Sequence, residues 1–148
     1  MVLPAIDPRR ANYNRFSDTY RFMKLVVVLS LVALHWMTLA CALGWPVSME
    51  QVIITVVSAL FLVLGNVMGR IKQTWFFGIG NAWTLSDEGV WTRTQRLGGR
   101  VWVVAGLVGI VSGIIGGTTG WVLFVTAVVA AVVIPHVYSY FDYRKTHR

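Results

Sequence analysis

Few residues in this chain could make or break bonds, and their spacing narrows the chemistry further. The deep parts of the apolar segments hold His35, Cys41 and no carboxylate, and His136 lies nearer the end of its own apolar run. Acid–base or nucleophilic catalysis needs a base placed beside a nucleophile, or a metal, and no such pairing or metal-ligand spacing is present. The lone cysteine excludes an internal disulfide and reads as a buried, inert thiol. A bis-histidine haem between His35 and His136 fails on depth: counted from the same membrane face, the two differ by roughly 7 Å at about 1.5 Å per residue. No catalytic residue, cofactor or metal is therefore expected. His35 reads as neutral and hydrogen-bonded to a neighbouring helix, although an ionisable group at that depth is a functional suspect.

Recognition by aromatic surface remains, and the residues for it are concentrated between Gln73 and Gly99. Trp75, Trp83 and Trp91, the loosening glycines Gly78 and Gly80, and a short charged helix occur together there. The helix is expected from Ser86 to Leu97, with Asp87 and Glu88 in its first turn and Arg93, Arg96 and Arg100 at or beyond its end. That polarity complements the helix dipole, each charge contributing about 0.3–1 kcal/mol. Val90, Thr94 and Leu97, with Trp91 beside them, form one face, and Thr92, Arg93 and Arg96 point away. A short amphipathic helix at the membrane interface follows, and two roles are open to the stretch. It is a recognition surface, or a re-entrant aromatic belt that seals one end of a helix bundle.

The elements that position these residues are membrane spans. Mean hydropathy is +0.65, 56% of residues are hydrophobic and 13% charged, which excludes an ordinary soluble domain. Spans are expected at 25–43, 49–68, 101–117 and 121–140, each near the roughly 20 residues needed to cross the hydrocarbon core. The fold class is thus an all-α integral membrane protein, a four-transmembrane-helix bundle with an interfacial amphipathic helix between spans two and three. Ala40-Cys41-Ala42 resembles a signal-peptidase site, but the basic region before it is too long for a signal peptide, and the segment is read as a retained span. Ser48 and Gln51 have capping-box spacing at the start of span two, and Asn66 near its end suits a helix-to-helix hydrogen bond. Ala105, Gly109, Gly113 and Gly117 recur every four residues, so span three presents a small-residue face for close backbone packing. Span four, reached through Gly116–Gly120 and carrying Ala127, Ala131 and Pro135, is the expected partner, and self-association is the rival. Pro135 should kink span four, with water or a neighbour satisfying the carbonyl it frees.

The net charge of +7 follows the spans. Four crossings put both tails and the central stretch on one side with all 13 Lys and Arg, and the positive-inside rule makes that side cytoplasmic. Topology accounts for these charges, so nucleic acid is not expected as a partner. Residues 1–24 alternate Arg9, Arg10, Arg15, Arg21 and Lys24 with Tyr13, Phe16, Tyr20 and Phe22. They read either as a helix lying on the headgroups or as a disordered basic tail.

The string GIGNAWTLSDEGVWTRTQRLGG resembles the signature of the SdpI family of bacterial membrane proteins, roughly N-x-x-x-G-I-R-x-P-W-T-L followed by V-W-x-x-T-H-x-x-G-G. Gly78, Ile79, Trp83, Thr84, Leu85, Val90, Trp91, Thr94, Gly98 and Gly99 match in order and spacing. Thr74, Gly80, Ala82 and Gln95 stand where the family has Asn, Arg, Pro and His. The resemblance covers residues 65–109 and implies a multi-pass protein of the bacterial cell membrane that gives immunity to a peptide toxin. Some members also hold a cytoplasmic regulator at the membrane. It further implies a binding surface drawn from Gly78, Ile79, Trp83, Thr84, Leu85, Val90, Trp91, Thr94 and Gly99, to which the aromatic character of the stretch adds Trp75. Beyond the lipid bilayer, the expected partners are a peptide toxin, a cytoplasmic regulator and a second copy of the chain. The alternative function is a small structural or transport-associated subunit that assembles through the glycine face.

Overall fold

Helix boundaries fall where capping side chains and glycines stand. In this computed structural model, which describes residues 7–147, a 3-10 helix Arg10–Phe16 leads directly into α1, Ser17–Ala42. Ser48 accepts the Gln51 N–H and opens α2, Met49–Met68. The short α3 spans Ala82–Ser86, Asp87 caps α4, Glu88–Ile115, and α5 runs Gly117–Thr146. Among the described residues, α1 with its 3-10 lead, α2, α4 and α5 are each long and apolar enough to cross a membrane. These are the four expected spans.

The first, third and fourth spanning helices overrun the expected bounds, and one of these differences changes the organisation. The amphipathic helix expected at 86–97 and the span expected at 101–117 are a single helix, α4, so loop 70–81 and α3 are what separate spans two and three. Leu97-Gly98-Gly99-Arg100 reads as a break because glycine weakens helices, but here the glycines serve packing. A Cβ on Gly99 would stand 2.6 Å from the Gly65 carbonyl oxygen, and one on Gly98 would run into Ile79. The close approach of α2 and α4 outweighs the helix propensity lost.

The same contact corrects the expected pairing of the glycine face. Ala105 and Gly109 are buried, but a Cβ on Gly109 would collide with Ser58 of α2, and one on Gly113 would lie 3.3 Å from Ile54 Cγ2 of the same helix. Gly106, outside the four-residue series, is as tight, its Cβ position 2.7 Å from the Ser58 carbonyl oxygen. The main partner is therefore α2, with α5 touching the flank through Phe124. Gly117 packs against nothing within 4 Å. It and Gly116 have φ of +58° and +66°, conformations favourable to glycine, which let α5 begin after one intervening residue.

Three polar side chains also depart from expectation. Asn66 donates to the Leu62 carbonyl of its own helix rather than to a neighbour. His35 lies on an exposed face of α1, so the interhelical hydrogen bond expected of it is not made among the described residues. Of the N-terminal aromatics, Phe22 is exposed, but the other three face protein. Tyr13, Phe16, Tyr20 and Met23 are buried in one cluster with Ile71, Ile79 and Trp91, because the face they form at helical spacing finds the central stretch. Residues 1–6 lie outside the described part.

Pro135 sits inside α5 and leaves the Ala131 carbonyl without its helical donor. The Trp102 indole N–H of α4 supplies the missing bond at 3.2 Å, its ring stacked on Phe61 at 4.6 Å. Trp102→Phe should therefore cost about 1 kcal/mol in detergent melting curves, and much less in a Pro135→Ala background, where residue 135 regains its own N–H. An equal loss in both backgrounds would show that the indole bond contributes nothing to stability.

Candidate functional site

A loop between two spans must find partners for its own backbone, because buried N–H and C=O groups left unpaired are costly. Loop 70–81 and α3 are short of regular structure, and side chains from the rest of the chain fill the need. Gln95, on α4 and fully buried, uses both ends of its amide on one residue: Oε1 accepts the Ile79 N–H at 3.3 Å and Nε2 donates to the Ile79 carbonyl at 3.2 Å. The Trp91 indole donates to the Ile71 carbonyl at 3.0 Å. Gly78, with φ +107°, lies flat on that ring, and a Cβ there would stand 3.0 Å from both Trp91 and Gln95.

Thr84 is the hub of the short helix. Asn81 Oδ1 accepts the Thr84 N–H, and the Thr84 hydroxyl accepts the Asn81 N–H, a closed capping box. The Thr84 carbonyl accepts from Gln73 Nε2 at 2.6 Å. Asn81 Nδ2 donates to Ser139 Oγ at 2.7 Å, tying the box to α5, and Arg93 on α4 pairs with Asp142 on α5 at 2.8 Å.

The N-terminal segment closes the structure from the other side. Asp7 is 2% exposed. Its Oδ2 accepts from the Trp75 N–H at 3.0 Å and the Tyr13 hydroxyl at 3.1 Å, and its Oδ1 from the Arg9 N–H at 2.8 Å. Arg9 Nη2 donates to the Leu85 carbonyl at 3.0 Å, and Asn12 Nδ2 to the Gln73 carbonyl at 2.7 Å. Sequence reasoning does not find Asp7, Arg9, Asn12, Tyr13 or Gln73. The available signal is the spacing of Tyr13, Phe16, Tyr20 and Met23, which marks a protein-facing side.

The expected binding surface is thereby divided. Val90, Thr84 and Thr94 have no exposed area, Trp91 is 1% exposed, and Ile79 and Gly99 are buried too. These residues and Gly78 build the loop from within, and the Trp91 ring is not available to a partner. Trp75 and Phe76 are each 53% exposed. Trp83 and Leu85 are half-buried, and the Trp83 ring meets Tyr140 edge-on at 5.3 Å. Among the described residues, no three of His, Cys, Asp or Glu gather as a metal site would require. A rigid loop with outward aromatic rings is equipped for contact.

A family model described as the SdpI/YfhL protein family matches residues 70–139, which hold the loop, α3, α4 and most of α5. Through this segment the chain resembles the SdpI family of helical membrane proteins. The immunity protein SdpI of Bacillus subtilis (strain 168) is 30% identical to it over 119 residues, 80% of this chain and 58% of that relative. The chain thus spans less than two thirds of the relative's length. No solved structure matches it.

The double bond from Gln95 should be measurable. Gln95→Leu leaves the buried Ile79 N–H and C=O without partners, at about 1–3 kcal/mol for each unsatisfied group. Gln95→His, the residue of the family signature, retains at most one of the two bonds and should fall between the wild type and Gln95→Leu in thermal stability. Wild-type stability of Gln95→Leu would mean that the loop does not depend on this clamp.

Proposed function

We propose that this chain is an immunity-type protein of the bacterial cytoplasmic membrane that protects the membrane carrying it from a membrane-active peptide toxin. The loop between spans two and three is the proposed contact surface. The reading is carried by one juxtaposition: the family-matched stretch is a loop held by buried hydrogen bonds that leaves Trp75 and Phe76 turned outward. Large rigid aromatics on a preorganised support give contact area at low entropic cost. In this reading Trp75, Phe76 and Trp83 touch the peptide, while Gly78, Ile79, Thr84, Val90, Trp91, Thr94 and Gly99 hold the surface in shape. Assembly of a structural subunit through the glycine face is not favoured, because Gly106 and Gly109 are covered by α2.

In this reading the loop and both tails face the cytoplasm, which the one-sided distribution of the basic residues supports. In a Cys41→Ala background, a cysteine placed at Ser86 should react with an impermeant thiol reagent only from inside, and one at Ser48 only from outside. Labelling of Ser86 from outside would overturn this orientation.

Function is tested in a sensitive bacterial host expressing the chain and challenged with peptides encoded beside its gene. Trp75→Ala and Trp83→Ala should lower protection at least tenfold in the toxin concentration tolerated, with membrane levels of the protein unchanged. Trp91→Ala should lower protein level and protection together, since its ring is internal. Full protection by both surface variants at wild-type levels would refute the proposed contact surface.

A further inference from the structure

Outside the clamped loop, the molecule carries an open groove along the α2–α4 seam at the Gly65–Gly99 contact. Its volume is about 460 Å³. Asn66 and Gly69 of α2 form one wall, and Arg96 and Arg100 of α4 the other. The two arginines are four residues apart, hence on one helix face and about 6 Å apart along the axis. Both are exposed, and neither takes part in the two ion pairs found among the described residues, which involve Arg93 and His147. No acidic side chain lines the groove. The α2 C-terminus is the one negative feature facing it, and its Val67 and Met68 carbonyls already accept the Arg70 and Ile71 N–H groups. The Arg96 stem rests against Gly69, whose Cβ position would be 3.4 Å from Arg96 Cγ.

The next turn of α4 into the membrane changes character. Val103 and Val104 continue the groove, and Val104 is 58% exposed. Two unpaired cations at the border of the apolar zone, with an open apolar track beneath them, match a molecule that is anionic at one end and hydrocarbon at the other. We propose that this groove binds an anionic phospholipid, with Arg96 and Arg100 holding the phosphate and Val103 and Val104 lying along an acyl chain. The proposal is independent of the toxin reading. It seats the lipid along the outside of the α2–α4 seam, where the glycines leave a groove.

The test uses the full chain in mild non-ionic detergent, with bound lipid counted by native mass spectrometry and by the shift in melting temperature. Phosphatidylglycerol should be retained in preference to phosphatidylcholine by a factor on the order of ten, as expected for two interfacial cations. The double variant R96Q/R100Q should lose that preference, whereas R144Q/K145Q, equal in charge change but outside the groove, should keep it. Gly69→Leu, which fills the groove and leaves both charges, should also lower retention. Equal retention of the two lipids by the wild type, or undiminished preference in R96Q/R100Q, would overturn the proposal. Displacement of phosphatidylglycerol by millimolar inorganic phosphate would overturn it too, by reducing the groove to a simple anion site.

Discussion

The constraint on which the rest depends is the need of an irregular segment between two spans to satisfy its own backbone. Helices meet it internally, but loop 70–81 does not, and in a chain this apolar there is little water to do it instead. Side chains supply the partners: Gln95 for Ile79, Gln73 for Thr84, Trp91 for Ile71 and Asp7 for Trp75. Each such bond is worth only about 0.5–1.5 kcal/mol net, while an unpaired buried group costs about 1–3 kcal/mol. Their collective effect is to fix one loop conformation, more than to add stability.

The helix packing follows the same economy of space. Gly65 against Gly99, and Gly106 against Ser58 and Leu62, bring α2 and α4 into backbone contact, and that closeness puts Trp91 and Gln95 within reach of the loop. Trp102 repairs the defect Pro135 makes in α5, while Asn81–Ser139 and Arg93–Asp142 tie the loop and α4 to α5. The result is graded in rigidity: the α2–α4–α5 side is cross-linked by specific bonds, whereas the spanning part of α1 stands at the periphery with His35 outward.

Much of this was legible in the sequence, because the strongest signals are local. Four apolar runs correspond to four long helices, Ser48 stands where a cap should, and W-T-L with V-W-x-x-T marks the family resemblance, whereas Asp87 caps the helix whose first turn it is expected to occupy. The amphipathic face of Val90, Trp91 and Thr94 was also readable, but what it faces was not. A helix face at a membrane border meets lipid headgroups or protein with the same composition, and only the path of the N-terminal segment decides between them. Hence Tyr13, Phe16 and Tyr20 read as lipid-facing aromatics and Trp91 as contact surface, when all four are buried in one cluster. The pairing of Gly109 with α2 was hidden for a similar reason: periodicity identifies a face and leaves its neighbour open. Asp7 was invisible because a single acid in a basic tail has no periodicity at all.

The central claim is that the loop is held as one rigid unit by side-chain hydrogen bonds, and native-state amide exchange on the full chain in lipid nanodiscs tests it most directly. The N–H groups of Trp75, Ile79 and Thr84, each bonded to a side chain, should exchange together and nearly as slowly as the flanking turns of α4. Exchange of these three at the rate of open, solvated amides, while α4 stays protected, would contradict the account.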